Sequence, residues 1–203
     1  MTQTAAPPAA PATPPPAVHP RRRLLHFVVR WLAVVLGLAG AWVSFDLLLL
    51  SIGGQATQAW LQAQCGETDP AAGALDCQAV LRSSRAWLGG GRDARPGVGL
   101  PWAAVGFAYF LSVGLWYLFV GIPTHSRRAW HLVLLLVMVT GAFHSLSLIY
   151  VMGVELRRWC GGCLVTHAIN GLLLLLTIIA WPRRADPPGT RPRPGLALAG
   201  ATT

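Results

Sequence analysis

The chain has 203 residues, of which 54% are apolar and only 11% charged, a composition that excludes an ordinary soluble domain and points to an integral membrane protein. Its formal net charge of +9 comes without a single lysine. The arginines are divided among membrane flanks with no basic stripe of interleaved aromatics, which excludes nucleic acid as a partner and leaves lipid headgroups as the natural contact for the charge.

The opening residues are mostly Ala, Pro and Thr, which bury nothing, so a disordered tail is expected over 1–23. Crossing the hydrocarbon takes roughly 20 apolar residues as helix, and the windows 24–50, 100–120, 130–152 and 160–181 supply them. The first follows Arg21, Arg22 and Arg23 as a signal-peptide core would, with Ala39, Gly40 and Ala41 as small residues for cleavage. Its apolar run far exceeds the ~7–15 residues of such a core, and three further spans make a twin-arginine export address the poorer explanation. It therefore reads as a retained span. The expected fold is all-α: a four-helix transmembrane bundle over 24–181, with one long outer loop at 51–99 that contains a short interfacial helix.

Within that loop, 55–74 is polar with Gly and Pro, whereas 77–88 puts Val80, Ser84, Trp87 and Leu88 on one helical face and Arg82 and Arg85 on another. Such a helix lies at an interface and would act as a lid over the bundle. Gly89, Gly90 and Gly91 end it, and Pro101 suits the first turn of the second span, where a missing N–H costs nothing. After the fourth span, 182–203 is a second disordered tail, rich in Pro and Arg.

Cytoplasmic flanks collect arginine. Arg21, Arg22, Arg23 and Arg30 precede or enter the first span, Arg127 and Arg128 separate the second from the third, and Arg183, Arg184, Arg191 and Arg193 follow the fourth. Both termini are therefore expected in the cytoplasm. The 51–99 loop balances Arg82, Arg85, Arg92 and Arg95 against Glu67, Asp69, Asp76 and Asp93, so it is expected outside. All four cysteines then face the oxidising compartment.

Those cysteines carry the chemistry. Cys160 and Cys163 flank two glycines at the mouth of the fourth span, close enough to bond across one helical turn, and Cys65 and Cys77 lie in the outer loop. Four thiols in two pairs suggest an electron relay. A helix N-terminus and the preceding Arg157 and Arg158 favour the thiolate of Cys160, while Cys163 sits one turn deeper, nearer the hydrocarbon. The two glycines leave room for another backbone or a flat ring. Cys160, Cys163, His167 and Asn170 share one helical stripe. His144 and His167 are each about seven or eight residues in from the outer end, so at ~1.5 Å per residue both sit roughly 10 Å deep. Polar groups at that depth suit a pocket for a two-carbonyl ligand.

The fourth-span run Cys160-Gly-Gly-Cys163 with Leu-Val-Thr-His167-Ala-Ile-Asn170 behind it resembles the vitamin K epoxide reductase family. So do Cys77-Gln-Ala-Val80 followed by Ser83, Cys65 upstream, and Gly99-Leu-Pro101 with Gly106 and Tyr109 opening the second span. The resemblance implies a membrane thiol–disulfide oxidoreductase that makes disulfides in a partner and passes electrons to a membrane quinone, ubiquinone or menaquinone. By it, Cys163 faces the quinone, Cys160 exchanges with Cys77 through a mixed disulfide, and Cys65 meets the external dithiol. His167 takes the place of a tyrosine or histidine that can hydrogen-bond the quinone, Ser83 matches a serine near the reactive loop cysteine, and His144 and Asn170 are candidates for the same pocket. Many bacterial relatives carry a fused thioredoxin-like domain; here the chain ends in a Pro/Arg tail, so a separate thioredoxin-like (DsbA-like) protein is the expected partner. The expected location is the inner, cytoplasmic membrane. Gly66, where an acidic residue often follows the first loop cysteine, departs from the pattern, as does the long Cys65 to Cys77 spacing.

A DsbB-like oxidase shares the quinone and the four spans but puts its dipeptide-separated pair in the first outer loop, so chain order argues against it. A haem-binding bundle would use His144 and His167 as axial ligands, and a passive scaffold would carry two structural disulfides. A bridge inside one helical turn closes almost no loop, which makes redox work its better rationale. Asp46 is read as reaching the interface at the outer end of its span, and Trp102, Phe107 and Tyr109 as headgroup-boundary aromatics.

Overall fold

The computed structural model describes residues 20–65, 75–89, 99–123 and 128–181. In chain order these form α1 (Pro20–Ser51), α2 (Ala59–Cys65), α3 (Cys77–Leu81), a 3-10 turn (Ser84–Ala86), β1 (Trp87–Leu88), β2 (Leu100–Pro101), α4 (Trp102–Phe119), α5 (Arg128–Tyr150), a π-helical extension (Val151–Leu156) and α6 (Gly161–Ile179). Four helices are long and apolar enough to cross a membrane: Leu24–Ser51, Trp102–Phe119, Ala129–Leu156 and Gly161–Ile179. They are the four expected spans, and the chain is a helical membrane protein.

α1 begins at Pro20, so 20–23 are helical rather than part of a disordered tail. Hydropathy marks where the hydrocarbon begins, not where a helix begins, and proline at the first helical position sacrifices no hydrogen bond. The remainder of the two expected tails lies outside the described residues, as do Gly66, Glu67, Asp69, Gly90, Gly91, Arg92, Asp93, Arg95 and Arg127.

α1 is the central helix and packs on both α4 and α6, while α5 packs on α6. Half of α1's most apolar window is buried, against 11% of α5's, which puts α5 at the edge of the bundle. Membrane helices gain no hydrophobic drive toward one another in lipid, so close van der Waals contact must hold them. Glycine supplies it: a Cβ on Gly37 would stand 2.7 Å from the Gly114 Cα, and one on Gly40 would stand 2.6 Å from the Phe110 ring. Around this contact Ala33, Val34, Val113, Tyr117, Met138 and Leu173 form one core. Several polar groups in and beside it are paired. The Tyr117 and Thr177 hydroxyls share a 2.6 Å hydrogen bond, and Arg30 donates to the carbonyls of Tyr117 (3.1 Å) and Leu118 (2.6 Å), which the end of α4 would otherwise leave unpaired.

The outer loop differs from the single 77–88 helix expected. α3 stops at Leu81 because Ser83 takes an extended backbone and its hydroxyl donates to the Val80 carbonyl at 2.7 Å, a local bond that competes with helix. Trp87 and Leu88 then pair antiparallel with Pro101 and Leu100, so Pro101 caps α4 rather than lying in its first turn. A second lid helix, α2, forms in the half of the loop whose composition is merely polar. Its Leu61 and Cys65 join Val43, Leu47, Val80, Leu81 and Met152 in a second apolar cluster at one end of the bundle.

Gly37→Ala is expected to destabilise the protein by ~1–3 kcal/mol, the cost of overpacking a closed interface, as measured by unfolding in detergent. Gly171→Ala, where an added Cβ meets nothing within 4 Å beyond its own helix, should leave stability unchanged or slightly raised.

Candidate active site

Two glycines decide how close the lid comes to the fourth span. A Cβ on Gly161 would collide with Oε1 of Gln64, and one on Gly162 would stand 2.6 Å from Leu61 Cδ1 and 2.9 Å from Leu47 Cδ2. The room the sequence promised is filled by side chains of α1 and α2. Because Gly161 and Gly162 occupy the first turn of α6, where N–H groups have no intrahelical partner anyway, their poor helix propensity does limited harm.

The chain reaches this turn by a sharp reversal. The π-helical extension ends at Arg157, which adopts the left-handed conformation with φ 50°, and the Arg158 N–H bonds back to the Met152 carbonyl at 3.0 Å. Cys160 then caps α6, its sulfur accepting from the Cys163 N–H at 3.2 Å. Charge left on that sulfur meets the positive end of a helix.

Cys65 is bonded to Cys77 and Cys160 to Cys163, with Cα atoms 4.8 and 5.2 Å apart. The sulfurs of Cys65, Cys77 and Cys160 all lie within 4.8 Å of one another, and all three residues are buried. The two pairs therefore sit within exchange distance of each other.

Four anchors hold the lid there. Asp46, read from sequence as reaching the interface, is instead fully buried: its carboxylate accepts from the Thr57 N–H (3.0 Å), the Thr57 hydroxyl (2.8 Å) and the Gln58 N–H (3.1 Å), so α1 caps α2 through space. Leu75 pairs with Trp159 as an isolated bridge, and the Asp76 N–H donates to the Trp159 carbonyl at 3.0 Å. Gln78 donates to the Cys65 carbonyl at 2.7 Å. Arg85 and Glu155 form an ion pair at 2.9 Å. The cap on α2 comes from a residue eleven or twelve positions upstream, too far for a local sequence signal, and nothing in the sequence singles out Gln64 or Glu155.

Beneath the lid is a cavity of about 570 Å³ lined by residues of the lid and all four spans, within the usual range for a small-molecule site. Its lining includes Cys163, His167, Asn170, His144 and Ser83, so the fourth-span thiol and all the candidate pocket residues meet in one space. Cys65, Cys77 and Cys160 do not line it. Asn170 is committed to its neighbours, accepting from the Tyr109 hydroxyl at 2.6 Å and donating to the Ser145 hydroxyl at 3.0 Å. His144 packs on Trp102 with ring centroids 4.0 Å apart. Nε2 of His144 and Nε2 of His167 are buried with no partner among the described residues. Two unsatisfied imidazoles in a mainly apolar chamber suit a flat ligand with polar edges.

The family model that matches this chain, covering residues 31–178, is that of the vitamin K epoxide reductase family. The chain belongs to that family. No curated protein matches it. Membership makes this vitamin K epoxide reductase relative a membrane oxidoreductase of thiols and disulfides, and its two adjoining cysteine pairs fit that activity.

Asp46→Ala should loosen the lid by roughly 1.5–3 kcal/mol, the scale of hydrogen bonds to a charged group. The expected readout is faster amide exchange over Thr57 to Cys65 with α6 unchanged.

Proposed function

We propose that this protein oxidises a thioredoxin-like partner outside the cytoplasm and passes two electrons through Cys65–Cys77 and Cys160–Cys163 to a membrane quinone, ubiquinone or menaquinone. The observation that carries this reading is that one sulfur of the α6 pair stands beside the lid pair while the other lines the cavity. Each end of the Cys160–Cys163 bond thus has its own task.

A partner thiolate attacks Cys65, and Cys77 leaves as the thiolate. The second partner thiol then resolves the mixed disulfide, releasing Cys65 and completing the partner's own disulfide. Cys77 next attacks Cys160, and Cys163 leaves toward the cavity. Cys65 displaces Cys160 to restore the lid bond, so the α6 pair becomes a dithiol and the lid pair is ready again. A quinone supplies the final acceptor, taking the two electrons and two protons given up by that dithiol. Because Cys65 and Cys77 are both buried, the partner's attack requires part of the lid to lift.

Within the cavity His167 and His144 would meet the ligand's oxygens through Nε2. Asn170, tied to Tyr109 and Ser145, keeps one amide hydrogen for the same purpose, and Ser83 closes the lid side. Such a ligand has the apolar body and polar edges that this lining suits. The arginine distribution supports an inner-membrane protein with cytoplasmic ends and the 24–181 segment as its working domain: Arg30 lies at the end of the bundle opposite the cysteines, where it meets the end of α4.

Cys163→Ala should abolish quinone reduction while the Cys65–Cys77 bond still accepts a thiol, read by quinone absorbance and by trapping of the partner on the protein; retained quinone turnover would refute the assignment. His167→Ala should raise the KM for quinone by about 3–10-fold, the loss of one hydrogen bond, leaving the rate of thiol exchange at Cys65–Cys77 unchanged.

A further inference from the structure

Three converging sulfurs can do more than exchange bonds. We propose that the reduced protein binds one thiophilic d10 cation, of the Zn²⁺, Cd²⁺ or Cu⁺ class, through Cys65, Cys77 and Cys160. Their sulfurs all lie within 4.8 Å of one another. A metal–sulfur bond of ~2.3 Å in a trigonal plane puts sulfurs about 4.0 Å apart, so once both disulfides are reduced the site needs the Cys65 and Cys77 sulfurs to move apart and little else.

The three ligands come from the end of α2, the start of α3 and the cap of α6, and each is held by bonds that do not involve sulfur. Gln78 holds the Cys65 carbonyl, the Asp76 side chain caps α3 through the Ala79 N–H at 2.9 Å, and the Asp76 N–H is tied to Trp159. Reduction therefore leaves the ligands convergent. Leu47, Leu61, Val80 and Met152 pack in the same cluster, and no carboxylate or imidazole belongs to the group among the described residues. That environment favours soft cations over hard, oxygen-seeking ones. The Cys163 N–H on the Cys160 sulfur, at 3.2 Å, offsets part of the thiolate charge.

The balance for a divalent ion is three thiols plus the cation giving a tris-thiolate complex and three protons, with no change in oxidation state once a dithiol or phosphine has reduced both disulfides. Cys163 faces the cavity and is not required. Bound in this way, the ion would occupy three of the four cysteines and hold the protein reduced, whereas the oxidised protein would ignore it. The site rests on sulfur positions alone; the quinone assignment could fail without affecting it.

The test is a Cd²⁺ titration of the full-length protein in detergent, oxidised and phosphine-reduced, followed by thiolate-to-metal charge-transfer absorption. The reduced protein and its Cys163→Ala variant should each bind one ion, the oxidised protein none. Cys65→Ala, Cys77→Ala and Cys160→Ala should each weaken binding by at least ~10-fold, a loss that even outer-shell changes can cause at metal sites. X-ray absorption of the reduced natural protein counts ligands without any variant and should give at least three sulfurs. Two or fewer sulfurs, equal binding by the oxidised protein, or loss on Cys163→Ala with retention on Cys65→Ala would overturn the proposal.

Discussion

The site exists because the lid can rest directly on the first turn of α6. Gln64 and Leu61 of the lid and Leu47 of α1 occupy the space where side chains on Gly161 and Gly162 would be. That contact sets the height of the lid and so the distance between its cysteines and Cys160. A methyl group at either glycine would force the ends of these side chains to move aside, since each clash is with a side-chain tip rather than with backbone.

Two sets of polar groups within the spans differ in how they are satisfied. Tyr117 with Thr177, and Tyr109 with Asn170 and Ser145, are satisfied within the protein, as the hydrocarbon demands. The Nε2 atoms of His144 and His167 have no partner among the described residues and lie where the cavity opens. The contrast divides the fourth-span stripe: Asn170 bonds helix to helix through Tyr109 and Ser145, while Nε2 of His167 has no such bond among the described residues.

The spans were legible because twenty apolar residues in a row have few other uses, and the stripe from Cys160 to Asn170 was legible because helical spacing is fixed. The lid was not. Val80 and Trp87 are both buried as a single amphipathic helix would have them, yet Ser83 breaks that helix and the second half pairs as a strand with the chain before α4. A run of about a dozen residues fits either pattern, and only contact with Leu100 and Pro101 decides. Asp46 misleads for a related reason: a lone carboxylate near a span end looks destined for water unless its donors, Thr57 and Gln58, are known to fold back over it. The crowding behind Gly161 and Gly162 could be anticipated as vacancy but not as Gln64 and Leu61.

The four moorings of the lid carry a further implication. α2 is secured by Asp46 at its start, the chain entering α3 by Trp159, Cys65 by Gln78 through its carbonyl, and the turn beyond by Glu155. None of these passes through sulfur, so opening either bridge removes a covalent tie without dismantling the platform that presents it. A thiol carrier that lost its shape whenever it was reduced would have to refold on every cycle; this one can return to its starting form by moving electrons and protons while most of its backbone stays where it is.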